Sequence, residues 1–314
     1  MTQVIPRWTE ADIPDLTGRN VIVTGANSGL GFETGRALAE HNAAVTLAVR
    51  DQARGAQAAA RIQERNPTAD VSVASLDLAN LASIRLFADS WSNDHPDGLS
   101  LLINNAGIMA TPERRTVDGF ELQFGTNHLG HFALTGLLMP ALIAVPRARV
   151  VTVSSQAHRM GKMNFSDLNS QNGYRAWGAY GQSKLANLLF TSELQRRVDQ
   201  LGIALLALAA HPGFAATNLQ STGPEMRGRS LQARLTSKVS GLVAQSAAMG
   251  ALPTLFAATA PDIPGDSYIG PGSFGEQRGH PKFVGRSAAA SQTADARELW
   301  EVSEVLTGVT YPIG

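Results

Sequence analysis

Tyr180 and Lys184 stand four residues apart in the string Tyr180-Gly181-Gln182-Ser183-Lys184. On a helix that spacing puts an ammonium beside a phenol on one face. A free tyrosine has a pKa of about 10 and exchanges protons poorly at neutral pH. A neighbouring cation favours the phenolate and lowers that value, so a tyrosine in this setting can pass a proton to or from a substrate oxygen. The same spacing also fits a partly exposed helix face with no chemistry, so the pair needs partners elsewhere in the chain.

The turn Thr24-Gly25-Ala26-Asn27-Ser28-Gly29-Leu30-Gly31 is the first such partner. Its glycines let the backbone turn tightly and approach a pyrophosphate, and a helix opening there offers free N–H donors and a positive dipole end. The spacing is Gly-x-x-x-Gly-x-Gly rather than Gly-x-Gly-x-x-Gly, and by itself the string would also suit an ordinary turn. Its position between a strand and a helix favours a nucleotide site. His128 and His131, three apart on a predicted helix, could in principle bind metal, but no third ligand is evident nearby. They are expected to pack or hydrogen-bond, with no metal. A hydrolase triad is disfavoured, because Ser155 lacks the Gly-x-Ser-x-Gly setting.

Strand and helix alternate through the elements that must position these groups. Apolar runs predict strands at Asn20–Thr24, Val45–Val49, Val71–Leu76, Leu99–Ile103, Ala148–Val153 and Ala204–Ala210. Helical patterns fill Leu30–Glu40, Gln52–Arg65, Leu81–Trp91, Phe120–Leu138 and Tyr180–Arg197. The order predicts an α/β fold, a Rossmann-like doubly wound parallel sheet with helices on both faces. No Pro- or Ser-rich linker and no repeat divides residues 1–314, so one dinucleotide-binding catalytic domain is expected.

Composition narrows the function classes. Lys plus Arg and Asp plus Glu both number 26, so no global field attracts nucleic acid or an anionic membrane. Hydrophobic residues make up 44% and charged residues 17%, as in a soluble globular protein. Cysteine is absent, which removes disulfides, thiolate catalysis and Cys-ligated metals and suits a reducing cytoplasm. The first residues show no basic region followed by an apolar core, so no signal peptide is expected. The apolar stretch Ile203–Ala210 is too short to span a bilayer.

Taken together, the Thr24–Gly31 turn, Asp77, Asn104-Asn105-Ala106-Gly107, Asn127, Val153-Ser154-Ser155, Tyr180 to Lys184 and His211-Pro212-Gly213 occur in an order that resembles the short-chain dehydrogenase/reductase family. Within it the chain looks most like the retinol dehydrogenase-like members and their bacterial relatives. The resemblance spans about residues 18 to 270. It implies catalytic roles for Asn127, Ser155, Tyr180 and Lys184. Tyr180 would be the general acid in carbonyl reduction and the base in alcohol oxidation. Lys184 would lower the Tyr180 pKa and bind the nicotinamide ribose. Ser155, with Ser154 as the alternative, would hold the substrate oxygen, and Asn127 would hold a water in a proton relay to Lys184.

The resemblance also implies a nicotinamide cofactor against Gly25, Asn27, Ser28, Gly29, Leu30, Gly31, Asp77, Leu78, Asn104, Ala106, Gly107, Tyr180, Lys184, Pro212, Gly213 and Thr217. Asp77 would contact the adenine edge and Thr217 the carboxamide. Val49 occupies the place of the acid that selects NAD, and Arg50 follows it. A guanidinium can pair with a 2′-phosphate, so NADP is expected over NAD. Arg50 could instead pair with Asp51 or solvent, and Asp51 would repel a phosphate.

Ser155 and Tyr180 are further apart here than in the simplest members of the family. The added segment, near 156–178, holds Met160, Met163, Phe165, Tyr174 and Trp177, which would wall a pocket or pack on the sheet. From Met226 to Pro261 there is no acidic residue, while Arg227, Arg229, Arg234 and Lys238 are basic and Leu231, Leu235, Val239 and Leu242 mark one helical stripe. This region, near 214–245, is expected to be a lid over an apolar substrate. A peripheral membrane contact or a core-facing helix would fit it as well. The expected function is NADP-dependent interconversion of a small-molecule carbonyl and its alcohol. A cofactor sensor without turnover is the alternative, and a homodimer or homotetramer is the assembly the resemblance implies.

Overall fold

The computed structural model describes residues 7–214, 245–273 and 275–313. These residues form an eight-stranded sheet in the order β3-β2-β1-β4-β5-β6-β7-β8. The strands are β1 (Asn20–Thr24), β2 (Ala44–Val49), β3 (Val71–Ser75), β4 (Leu101–Asn104), β5 (Ala148–Val153), β6 (Leu205–Ala210), β7 (Tyr268–Ser273) and β8 (Arg278–Phe283). All neighbours pair parallel except β8, which returns antiparallel on β7. The doubly wound parallel sheet expected from the sequence is therefore present, with one antiparallel edge hairpin added. That hairpin carries Gly270, Pro271, Gly272 and Pro281 rather than an apolar run, which hid it from a reading based on hydrophobic periodicity.

Alternate residues of each central strand enter opposite layers, as the pleat requires. Val21, Val23, Leu101, Ile103, Val151 and Leu208 join one core, which includes Phe32 and Leu38 of α1 (Gly29–Glu40), Ile62 of α2 (Gln52–Arg65) and Leu255 and Phe256 of α8 (Ala247–Thr259). Ile22, Leu102, Val150 and Ala207 face the other. There they meet Phe87 and Trp91 of α3 (Leu81–Asp94), Phe132 of α5 (Gly130–Leu137), Phe190 of α7 (Ala176–Gln200) and Trp300 of α9 (Thr293–Thr307). Trp300 stacks on Phe190 at 5.9 Å and meets Phe132 edge-on at 5.1 Å, so α9 packs across α5 and α7. Truncating a buried aromatic of this kind costs about 3–5 kcal/mol.

The helix expected over Phe120–Leu138 is interrupted. A short α4 (Leu122–Phe124) leads into a π-helical turn at Gly125–Leu129 before α5, and α6 (Met139–Ile143) begins separately with Pro140 in its first turn. Gly130 N–H reaches back five residues to the Gly125 carbonyl. Such a turn commonly marks a functional position, because the extra residue shifts the helix face.

The described part of the acid-free stretch is α8, whose Leu255, Phe256 and Ala257 are buried in the sheet core. Thr217, Arg227, Arg229, Arg234, Lys238 and the stripe Leu231, Leu235, Val239 and Leu242 lie outside the described residues, as does the expected lid apart from its ends. Among the described residues no helix is long and apolar enough to cross a membrane.

Candidate active site

The strand order reverses between β1 and β4, and a cleft of about 580 Å³ opens beyond the carboxyl ends of the central strands. Its nucleotide end is lined by Gly25, Asn27, Ser28, Gly29, Leu30 and Gly31, with Asn105, Ala106 and Gly107 opposite. Ser28 is the N-cap of α1 and makes no side-chain cap bond, so the first N–H groups of that helix keep donors for a ligand. A Cβ on Gly31 would sit 2.5 Å from Asn105 Nδ2 and 2.6 Å from the Gly25 carbonyl oxygen, so only glycine lets turn and loop close on each other. A free helix N-terminus behind a glycine-rich turn fits a pyrophosphate.

The loop after β4 is held by Thr24. Its hydroxyl accepts the N–H groups of Asn105 at 3.0 Å and Ala106 at 2.9 Å, and Asn105 Nδ2 donates to the Thr24 carbonyl at 2.7 Å. Asn104, expected against the cofactor, points the other way. It is fully buried, donates to the Thr135 and Thr152 hydroxyls and does not line the cleft. The reason is the pleat: Asn104 is the last residue of β4 and its side chain enters the α5 layer, leaving Asn105 to face the cleft. Asp77 caps its own turn through Ala79 N–H, and Leu78 is buried beneath Gly130; neither lines the cleft. Arg50 is exposed at the end of β2 and makes no ion pair among the described residues. Asp51 instead caps α2 through Arg54 N–H and pairs with the Arg54 guanidinium at 3.4 Å.

Tyr180, Ser183, Lys184 and Asn187 share one face of α7, and all four are buried. Lys184 Nζ donates to the Val153 carbonyl at 3.0 Å, which Asn187 Nδ2 also meets at 3.1 Å. Ser154 Oγ donates to the Lys184 carbonyl at 2.8 Å, fastening α7 to the end of β5. Both serines line the cleft, but the Ser154 hydroxyl is thus committed to structure, whereas the Ser155 hydroxyl accepts only Ala157 N–H, at 3.2 Å. Ser155 also hydrogen-bonds Tyr180, an interaction that favours the phenolate.

Burial outweighs that bond and pushes the Tyr180 phenol up to about 12. Burial likewise pushes the Lys184 ammonium down to about 8. Lys184 Nζ lies 5.9 Å from the Tyr180 ring centroid and is directed to the Val153 carbonyl.

Asn127 occupies the π-helical turn. Its amide clasps the Ile108 backbone, accepting N–H at 2.9 Å and donating to the carbonyl at 3.0 Å, and it also donates to Ser183 Oγ at 2.9 Å. A Cβ on Gly107 would approach Asn127 Oδ1 at 3.3 Å and Lys184 Nζ at 3.4 Å, which places these three predicted residues together. His128 Nε2 meets Ser303 Oγ and His131 Nε2 meets Thr24 Oγ1, so each ring is used in hydrogen bonding. Among the described residues no group of three or more candidate ligands could hold a metal.

The substrate end gathers Met109, Gln156, Ala157, Met160, Trp177, Phe214 and Gln277 around Ser155 and Tyr180, beside Pro212 and Gly213. Of the five apolar and aromatic residues expected to wall it, Met160 and Trp177 do so. Met163 and Phe165 pack on the core beneath α7, and the Tyr174 hydroxyl donates to the Thr111 carbonyl. The segment is pinned by Gln182, which accepts Asn164 N–H and donates to the Leu168 carbonyl. Sequence reasoning missed Gln277, which arrives on the β7–β8 hairpin and donates to Gln156 Oε1 at 2.5 Å; no local pattern signals it.

With this geometry in place, comparison with known proteins is specific. The family model for short chain dehydrogenases matches residues 19–228. The chain is 40% identical over 296 residues to human retinol dehydrogenase 12, covering 94% of this chain and 88% of that protein. It is 38% identical over 302 residues to mouse retinol dehydrogenase 14, covering 93% and 86%. Among solved structures, an uncharacterized protein from Mycobacterium paratuberculosis is 46% identical with a TM-score of 0.80, covering 98% of this chain and all of that one. By sequence match and by fold, the chain belongs to the short chain dehydrogenase family of oxidoreductases.

Proposed function

We propose that the protein interconverts an apolar ketone or aldehyde and its alcohol with NADP(H). The observation that carries this reading is the meeting of the Ser155 and Tyr180 hydroxyls in a cleft continuous with the glycine turn and the α1 N-terminus. The α1 N-terminus and the Gly25–Gly31 turn would hold the pyrophosphate, and Lys184 the nicotinamide ribose. The bound nicotinamide supplies or takes the hydride.

Ser155 Oγ accepts Ala157 N–H, which leaves its proton for an oxygen in the cleft, that of Tyr180 or that of a bound substrate. It would donate to the substrate oxygen and stabilise charge developing there. Tyr180, with its pKa pushed up by burial, is fully protonated at neutral pH and suited to donate a proton in reduction. The nearby Lys184 ammonium would stabilise the phenolate left behind.

NADP is favoured by Arg50, which is exposed beyond β2, while the Asp51 charge is already engaged by Arg54 and the α2 N-terminus. An apolar substrate is favoured by Met109, Met160, Trp177 and Phe214, with Trp177 54% exposed and Met160 63% exposed at the mouth. The relatives named as retinol dehydrogenases favour an alcohol or aldehyde of that kind. The reading is tested by following NADPH oxidation against a panel of apolar ketones and aldehydes, with NADH in parallel. Turnover with NADPH at much lower concentration than with NADH is expected; no turnover with either cofactor on any member of the panel overturns it.

A further inference from the structure

His131 is buried on α5, one turn beyond Asn127, and nothing in the proposed chemistry uses it. Its Nδ1 lies 3.0 Å from the Asn127 carbonyl oxygen and its Nε2 lies 2.9 Å from Thr24 Oγ1. The donors and acceptors around Thr24 decide its tautomer. The Thr24 hydroxyl already accepts two N–H groups, from Asn105 and Ala106, which fills its lone pairs. Its one proton has two acceptors in reach, Nε2 at 2.9 Å and the Ile103 carbonyl at 3.3 Å, and the shorter contact takes it, so Nε2 accepts and Nδ1 carries the hydrogen that it donates to the Asn127 carbonyl. A second N–H on the ring would face an oxygen with nothing left to give, and burial holds the ring neutral, its pKa pushed down to about 4.

We infer that His131 is a positioning residue that locks the cofactor loop at Asn105–Ala106 to the Asn127 turn through Thr24. The inference rests on the proposed reading of the cleft as a dinucleotide and carbonyl site. The lock works at both ends. Without the imidazole, the Thr24 hydroxyl has only the Ile103 carbonyl at 3.3 Å to donate to. Rotating toward it swings the lone pairs away from the two loop N–H groups that they hold. At the other end the Asn127 carbonyl, in a π-helical turn, loses its side-chain donor, and the amide that clasps Ile108 and Ser183 moves with it. One substitution thus loosens both the loop beside the cofactor and the residue next to Lys184.

His128 supplies a control, being equally buried one turn earlier but bonded to Ser303 of α9, away from the cleft. His131→Phe, His131→Gln and His128→Phe are compared with the wild-type chain for thermal midpoint, NADPH Kd, kcat and carbonyl KM. A merely structural role predicts that His131→Phe and His128→Phe lose stability alike and share the same Kd and kcat. The lock predicts that only His131→Phe raises NADPH Kd and lowers kcat, each by about tenfold, with carbonyl KM little changed. His131→Gln, which keeps one donor and one acceptor without a titrating ring, is expected to recover most of both. Matching Kd and kcat in the two Phe variants overturns the inference.

If His131→Phe does not fold, long-range 1H–15N correlation of the wild-type imidazoles decides. The neutral Nδ1–H form of His131 supports the lock, and the Nε2–H form overturns it. A wild-type chain that binds NADPH but reduces no carbonyl fails the functional reading alone, because the Kd comparison still stands. One that binds neither NADPH nor NADH overturns both.

Discussion

The two ends of the cleft are built in different ways. The nucleotide end comes from short contiguous pieces: the Gly25–Gly31 turn between β1 and α1, and the Asn105–Gly107 loop after β4, joined by Thr24. The substrate end takes Met109, Gln156, Trp177, Phe214 and Gln277 from five separate parts of the chain. The first is specified by backbone geometry that few residues other than glycine can satisfy. The second is specified by side-chain surface that many residues could supply. A family can therefore hold one end constant while the other changes with the substrate.

The sharpest way to separate the two ends is Tyr180→Phe, which removes the proton donor and leaves the turn untouched. NADPH binding should persist while kcat falls by about 10²–10⁴-fold, read by fluorescence titration and turnover. Normal turnover would place the chemistry elsewhere in the cleft. Gly31→Val should do the reverse. Its side chain would overlap Asn105 Nδ2 and the Gly25 carbonyl, raising NADPH Kd by about tenfold or more and lowering the thermal midpoint. Unchanged binding would show that turn and loop are looser than the described geometry. Arg50→Glu should move the NADP over NAD preference by about ten- to a hundredfold without altering carbonyl KM, measured as the ratio of kcat/KM for the two cofactors.

Acid should loosen both ends. Burial holds His131 down to about 4, and His128 and His211 down to about 3. An unfolded histidine takes up a proton near 6.5, so between about 6.5 and 4 the unfolded chain binds more protons and stability falls as pH falls. Glu121, raised by burial, works in the opposite direction over the carboxylate range. The urea midpoint at pH 7.5, 6.0 and 5.0 tests this; a midpoint that does not fall would mean that the rings titrate as if exposed. The smallest change belongs to the substrate end. Gln277→Ala removes the bridge to Gln156 at the exposed mouth and should raise carbonyl KM about threefold with NADPH Kd unchanged. An equal effect on Kd would join two regions that the geometry keeps apart.

Much of the nucleotide end was legible in the chain itself. The six parallel strands, the glycine turn and the Tyr180–Lys184 face follow from periodicity and spacing, and these are local properties. The resemblance to a family named further residues, but the pleat decided which of them face the cleft. Asn104 and Asn105 differ by a single position, and that position turns one side chain into the α5 layer and leaves the other at the cleft. The two serines of Val153-Ser154-Ser155 both line the cleft, and only their hydroxyls divide, that of Ser154 going to the α7 backbone.

By itself the sequence determined the α/β order, the glycine turn and the helix face that carries Tyr180 and Lys184, because a repeat of 2 or 3.6 residues and a missing side chain are written within a few positions. Only the tertiary structure decided what surrounds them. The Tyr180 phenol is held high and the Lys184 ammonium low because burial depends on everything packed around them. Gln277 reaches the mouth on a hairpin of glycines and prolines, and His131 meets Thr24 across 107 residues of chain. Contacts at that separation depend on how the layers close, and no local pattern in the chain records them.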